Sequence, residues 1–201
     1  MKETSNQQPV SERRACAGKA ELRKRDDNTP EVFGYALKYD VAYDMGWFTE
    51  SIQRGSLDNA DLSDVRILFN HDKNQVLGRT KSGTAEVGLD DVGMWYRCSL
   101  PASPVGETVR VALERGDIDQ SSWAFFTRQT PSGGGDTWTR RNGKDHRTIT
   151  DVRLVQDASP VTYPANPDTT AAKRSYETTE QPTDEARKRE LELIAAELQC
   201  I

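Results

Sequence analysis

Apolar residues in the middle of the chain recur at every second position, the spacing of half-buried β-strands. Phe33, Tyr35, Leu37 and Tyr39 alternate with Gly34, Ala36 and Lys38. Val65, Ile67, Phe69 and His71 share one face of a second strand. Ala85, Val87 and Leu89 line a third, Asp90-Asp91-Val92-Gly93 turns the chain, and Met94, Tyr96, Cys98 and Leu100 line its return, which predicts a hairpin. The period then changes. Ser103 is a capping residue, Pro104 fits the first helical position, and Val105, Val109, Ala112 and Leu113 follow at helical spacing up to Gly116. A strand resumes with Ile118, Ser122, Ala124 and Phe126 on one face and Trp123 and Phe125 on the other. After a glycine-rich loop at 131–136 and an Asn142-Gly143 turn, a last strand runs from Val152 and Leu154 into Ser159-Pro160-Val161-Thr162-Tyr163-Pro164.

The flanks have a different pattern. Residues 1–29 are polar and weakly periodic, and read as a flexible arm with a short helix around Ala15–Lys24. Residues 168–182 read as a linker. Beyond it, Leu191, Ile194, Ala195 and Leu198 form an apolar stripe on a charged helix. All aromatic residues except Tyr176 lie between Phe33 and Tyr163, which places the folded core at about residues 30–170. The expectation is an α+β, strand-rich domain: an antiparallel, barrel-like sheet with one main helix, plus a C-terminal amphipathic helix. The organisation is an arm (1–29), a domain (30–170), and a linker with the final helix (171–201).

Composition narrows the function. No apolar run approaches the roughly 20 residues of a membrane span, and the first residues lack the apolar core of a secretory signal. Cys16, Cys98 and Cys200 are an odd set without CxxC spacing, which disfavours a disulfide framework or a cysteine zinc site. Two histidines cannot supply a three-histidine metal site, and no cofactor is expected. The formal charge of −5 argues against nucleic acid as a partner.

Four residues can carry chemistry. His71 ends a strand on an apolar face, as either a hydrogen-bonded structural histidine or a base. Ser122 lies on an apolar strand face, as either a packing residue or a held nucleophile. Asp157 is either a turn-capping carboxylate or the group that orients a histidine. His146 lies among Lys144, Asp145 and Arg147, a setting that suggests exposure. A serine needs a base within hydrogen-bond reach, and the base needs a third group to fix its tautomer.

Several phrases recur in a distinctive order: Gly34-Tyr35-Ala36; Asn70-His71-Asp72 followed by Val76-Leu77-Gly78-Arg79; Gly116-Asp117-Ile118 leading into Ser122-Trp123-Ala124-Phe125; and Asp157-Ala158-Ser159-Pro160-Val161-Thr162-Tyr163-Pro164-Ala165-Asn166-Pro167. Over about residues 31–170 this series resembles the prohead maturation serine proteases of tailed bacteriophages. The resemblance implies a fold related to the herpesvirus capsid proteases (assemblins) and an acyl-enzyme endopeptidase acting inside the immature shell. Major capsid protein and scaffold protein would be substrates, in the host cytoplasm, with no membrane partner. It implies His71 as base, Ser122 rather than Ser121 as nucleophile, and Asp157 as third member. Family members often carry the longer Glu at that third position. The herpesvirus relatives use a second histidine, which keeps His146 as the alternative. Trp123 stands where a medium-sized residue is more common. Backbone amides near Gly133–Gly135 or Arg140 and Arg141 are the oxyanion candidates. Self-cleavage is expected in 1–29 or 168–182, since exposed arms are where chains are nicked. Homo-oligomerisation stays open. A non-catalytic capsid-assembly module with the same fold is the main alternative, motivated by the C-terminal helix. An unrelated β-rich binding domain is the third.

Overall fold

A computed structural model describes residues 11–130, 133–163 and Tyr176. The expected linker, Tyr176 excepted, the expected C-terminal helix and residues 1–10 of the expected arm lie outside the described residues.

Among the described residues, fourteen strands and one α-helix build the domain. In chain order they are β1 (Glu12–Lys24), β2 (Pro30–Lys38), β3 (Tyr43–Asp44), β4 (Phe48–Ile52), β5 (Arg66–Leu68), β6 (Val76–Arg79), β7 (Ala85–Leu89) and β8 (Gly93–Ser99). Then come α1 (Pro104–Arg115), β9 (Gln120–Thr127), β10 (Gln129–Thr130), β11 (Gly133–Gly134), β12 (Asp136–Arg141), β13 (Lys144–Ile149) and β14 (Val152–Val161). The main sheet has eight strands in the order β6-β5-β14-β9-β1-β2-β8-β7. It curls into a nearly closed barrel: a Cβ on Gly78 of β6 would lie 2.5 Å from Cys98 Sγ of β8, so only glycine lets the two ends approach. A second sheet, β12-β13-β4-β3, packs beside it. Pairing is mostly antiparallel, but β14–β5 and β13–β4 are parallel.

The core fills the barrel. Val32, Ala36, Ile67, Met94, Tyr96, Val109, Trp123, Phe125, Val155 and Ala158 are all buried. The helix follows its sequence signals. Ser103 Oγ accepts from the Gly106 amide, Pro104 opens the first turn, and Gly116 ends the helix at φ 77°. Val109 enters the core, with Val105 and Leu113 half-buried beside it. The expected hairpin is β7–β8, with Leu89 opposite Met94, and Tyr96, Cys98 and Met94 face inward.

Two expectations need correction. Residues 12–24 are neither arm nor helix. They form β1, in the middle of the sheet between β9 and β2. The two neighbours supply its backbone partners, and the side chains it buries at its start are Glu12 and Arg14, so no apolar alternation marks it. In β2 the predicted face is out of phase. Gly34 and Ala36 point inward while Phe33 and Tyr35 lie half-exposed, and a register shift between Tyr35 and Leu37 then turns Leu37 inward.

Candidate active site

Three strands bring the candidate residues together. Ser122 lies on β9, fully buried, directly opposite Ser159 of β14. Its neighbour Ser121 faces the other way, 2.9 Å from the Tyr96 hydroxyl. Asp157 follows a register shift in β14 between Val155 and Asp157, and such irregularities re-aim side chains. His71 stands just beyond β5. Asn70 and His71 both adopt left-handed backbone, at φ 55° and 56°. Two successive non-glycine residues there are strained, each by about 1–2 kcal/mol. Asn70 offsets part of this, because its side chain accepts from the Thr162 amide at 2.8 Å and donates to Thr162 Oγ1 at 3.2 Å. The turn is thereby tied to the end of β14, the strand that carries Asp157.

The result is a hydrogen-bonded line. Ser122 Oγ lies 2.6 Å from His71 Nε2, and His71 Nδ1 lies 2.5 Å from Asp157 Oδ1. Asp157 Oδ1 also accepts from Ser159 Oγ at 2.8 Å. With the Nδ1 proton donated to Asp157, Nε2 is left as an acceptor facing the serine hydroxyl. Asp157 spans this distance although it is one methylene shorter than glutamate.

Ser122 Oγ has a second acceptor, the Arg14 backbone carbonyl of β1, at 2.8 Å. A hydroxyl has one proton, so it serves only one of the two acceptors at a time. The serine is completely inaccessible, and His71 is only 8% exposed. The Arg14 carbonyl belongs to the start of β1. That start is held by charge. Arg14 is ion-paired to Glu50 of β4 and to Glu12, and Arg147 of β13 is ion-paired to Glu12, Glu50 and Asp136. Burial pushes the Glu50 carboxyl up, but Arg14 and Arg147 outweigh it and hold Glu50 below the ordinary carboxylate value.

A sequence model of the caudovirus prohead serine proteases matches residues 18–182 of this chain. The chain belongs to that family. It is a serine protease of the capsid maturation type. Among solved structures, the protease is similar to the bacteriophage T4 capsid assembly protease, gp21, at 10% identity and a TM-score of 0.46, covering 76% of this chain and 99% of that one. No curated protein matches it.

The remaining site candidates lie elsewhere in the protease. His146 is buried, not exposed. It sits on β13 with Nδ1 2.7 Å from Thr49 Oγ1 and Nε2 2.9 Å from Ser51 Oγ, so both ring nitrogens are engaged by β4 hydroxyls. Burial, then the nearby Arg141 charge, lowers its pKa. Trp123 has a packing role: its ring stacks on Phe125 at 3.9 Å. Of the oxyanion candidates, Arg140 donates to the Gly143 carbonyl across its own hairpin, and the Gly135 carbonyl accepts from the Thr150 and Asp151 amides. Ser159 and the Arg14 carbonyl are contacts that the sequence reading missed. Ser159 stood within the Asp157-Ala158-Ser159 phrase, two residues from Asp157 and so on the same strand face. The Arg14 contact had no sequence signal, because β1 itself was not recognised. Among the described residues, no His, Cys, Asp and Glu cluster suits a metal, and no helix is long and apolar enough to cross a membrane.

Proposed function

We propose that Ser122, His71 and Asp157 are the nucleophile, base and orienting carboxylate of this protease. Its substrates are the major capsid protein and the scaffold protein, and it cuts its own chain, inside the assembling procapsid in the host cytoplasm. The observation that supports this reading is the unbroken line Ser122–His71–Asp157, with contacts of 2.6 Å and 2.5 Å. Ser122 Oγ attacks a peptide carbonyl while His71 Nε2 takes its proton, and His71 then delivers that proton to the leaving amine. Asp157 stabilises the imidazolium and fixes the tautomer. Water, activated by the same histidine, releases the acyl group.

Self-processing within residues 1–29 is supported by the contact between Ser122 and β1. The burial of Ser122 and the Arg14 carbonyl of β1 lying against its Oγ support a latent enzyme. Intact-mass measurement of the full chain, co-expressed with its capsid protein, tests the proposal. The wild type is expected to lose N-terminal residues and to cleave capsid protein, and Ser122→Ala is expected to do neither. Undiminished cleavage by Ser122→Ala would refute it.

A further inference from the structure

The face of β1 and β9 opposite the serine carries a second constellation. Five charged side chains meet there in the interior: Glu12 and Arg14 of β1, Glu50 of β4, Arg147 of β13 and Asp136 of β12. Arg14 meets Glu50 as a two-pronged fork, with Nε 2.6 Å from Oε1 and Nη2 3.1 Å from Oε2. Arg147 meets Glu12 the same way, with Nη1 2.5 Å from Oε2 and Nη2 3.0 Å from Oε1. Arg147 is steadied from behind, by Asp136 Oδ2 on Nε at 2.5 Å and Glu50 Oε2 on Nη1 at 3.0 Å.

These five residues divide into two groups. Glu50, Arg147 and Asp136 belong to the second sheet and hold one another. Glu12 and Arg14 belong to the segment that lies on Ser122, and the family match begins only after it, at residue 18. If that segment departs, Glu50 Oε1 loses its cation and Arg147 loses its two-pronged carboxylate. Buried charges left in that state demand replacement partners of the same kind and spacing. An incoming strand pairing with β9 can supply them only by presenting an arginine and, two residues before it, a glutamate, because alternate residues share a face.

We infer that Glu50 and Arg147 are specificity-determining residues of the protease, reading a Glu-x-Arg segment of the substrate strand, with cleavage after the arginine. The inference rests on the catalytic reading of Ser122. In the chain's own segment the scissile bond is Arg14–Ala15. Ser122 Oγ bonds to the Arg14 carbonyl carbon, the bond to the Ala15 nitrogen breaks, and the Oγ proton passes through His71 to that nitrogen. Water then cleaves the ester and leaves a carboxylate on Arg14. The observed contact, with the carbonyl oxygen rather than the carbon turned to Oγ, is the resting form of that complex. Arginine is required over lysine, since a single ammonium does not match two carboxylate oxygens in a plane.

The test uses the full chain and a synthetic peptide spanning its residues 6–22. Cleavage is expected after the residue matching Arg14. Changing that arginine to Gln is expected to lower kcat/KM about 30-fold or more, the scale for losing one partner of a buried charged pair. The Glu12→Gln peptide should also be cut poorly. Changing Arg13, which is exposed on β1, should matter little. In the Glu50→Gln chain the preference for Arg over Gln should collapse, a ratio that a structural role alone would not move. Because peptide changes leave the enzyme untouched, misfolding of that variant does not remove the test. Ser122-dependent cleavage that is indifferent to the Arg14 change, or that falls at another bond, overturns the subsite and spares the catalytic assignment. Cleavage that survives Ser122→Ala overturns the catalytic assignment instead, and no cleavage at all overturns the inference.

Discussion

β9 carries opposite chemistry on its two faces. On one, Ser122 joins His71, Asp157 and Ser159 through short hydrogen bonds. On the other, Arg14 lies 5.7 Å from the Phe125 ring centroid and leads into five buried charges. The first face is a hydrogen-bond relay, running from the Ser122 hydroxyl through the His71 ring to the Asp157 carboxylate. The second is a clamp, in which each atom is placed to hold another. β1 joins them, since the residue whose guanidinium is clamped on one side offers its carbonyl to the serine on the other. The comparison teaches that a hydrogen-bonded polar line and a buried ion-pair cluster can share one strand pair, kept apart by the alternation of side chains.

Substitutions on the two faces should fail differently. The largest effect is expected from Ser122→Ala, which should abolish measurable proteolysis while the melting temperature stays near that of the wild type, read by calorimetry. Asp157→Asn should lower kcat about 10,000-fold with the fold retained, because the amide no longer holds the reactive tautomer. A loss under tenfold would move the third role away from Asp157. Arg147→Ala should act on the fold as well as on substrate choice. It removes the guanidinium shared by Glu12, Glu50 and Asp136 and is expected to cost about 3–5 kcal/mol of stability, read by denaturant unfolding. Ser159→Ala removes one hydrogen bond to Asp157, worth about 1–2 kcal/mol, and should lower kcat about tenfold and shift the acid limb of the pH–rate profile. An unchanged profile would make Ser159 a packing residue only.

The smallest effect is in the pH dependence of stability. Glu50 has a lower pKa in the folded protein than its ordinary 4.5. The folded state therefore binds fewer protons than the unfolded one between those two values. The contribution of Glu50 is fully present above about pH 4.5 and is lost as pH falls through the depressed folded value. Glu50→Gln should flatten that limb of the melting curve, and an unchanged slope would mean that Glu50 is not what acid disrupts.

The relay face was largely legible in the sequence and the clamp face was not. His71, Ser122 and Asp157 stand in short phrases whose order marks them. The helix over 104–115 and the hairpin over 85–99 follow capping and alternation signals. β1 and β4 escaped because their buried positions include Glu12, Arg14 and Glu50. Hydrophobic periodicity cannot see an inward face built from ion pairs, since each charge is acceptable there only through partners far away in sequence. His146 misled for the same reason. Its charged neighbours suggested solvent, whereas Arg147 is among the most buried residues in the protein.

The central claim is that Ser122 is a nucleophile activated by His71. The most direct measurement is peptide mapping of the full chain after exposure to a fluorophosphonate, with His71→Ala in parallel. A single adduct on Ser122, absent from the His71→Ala chain, is the predicted result. An adduct on another residue, or equal labelling of Ser122 without His71, would contradict it.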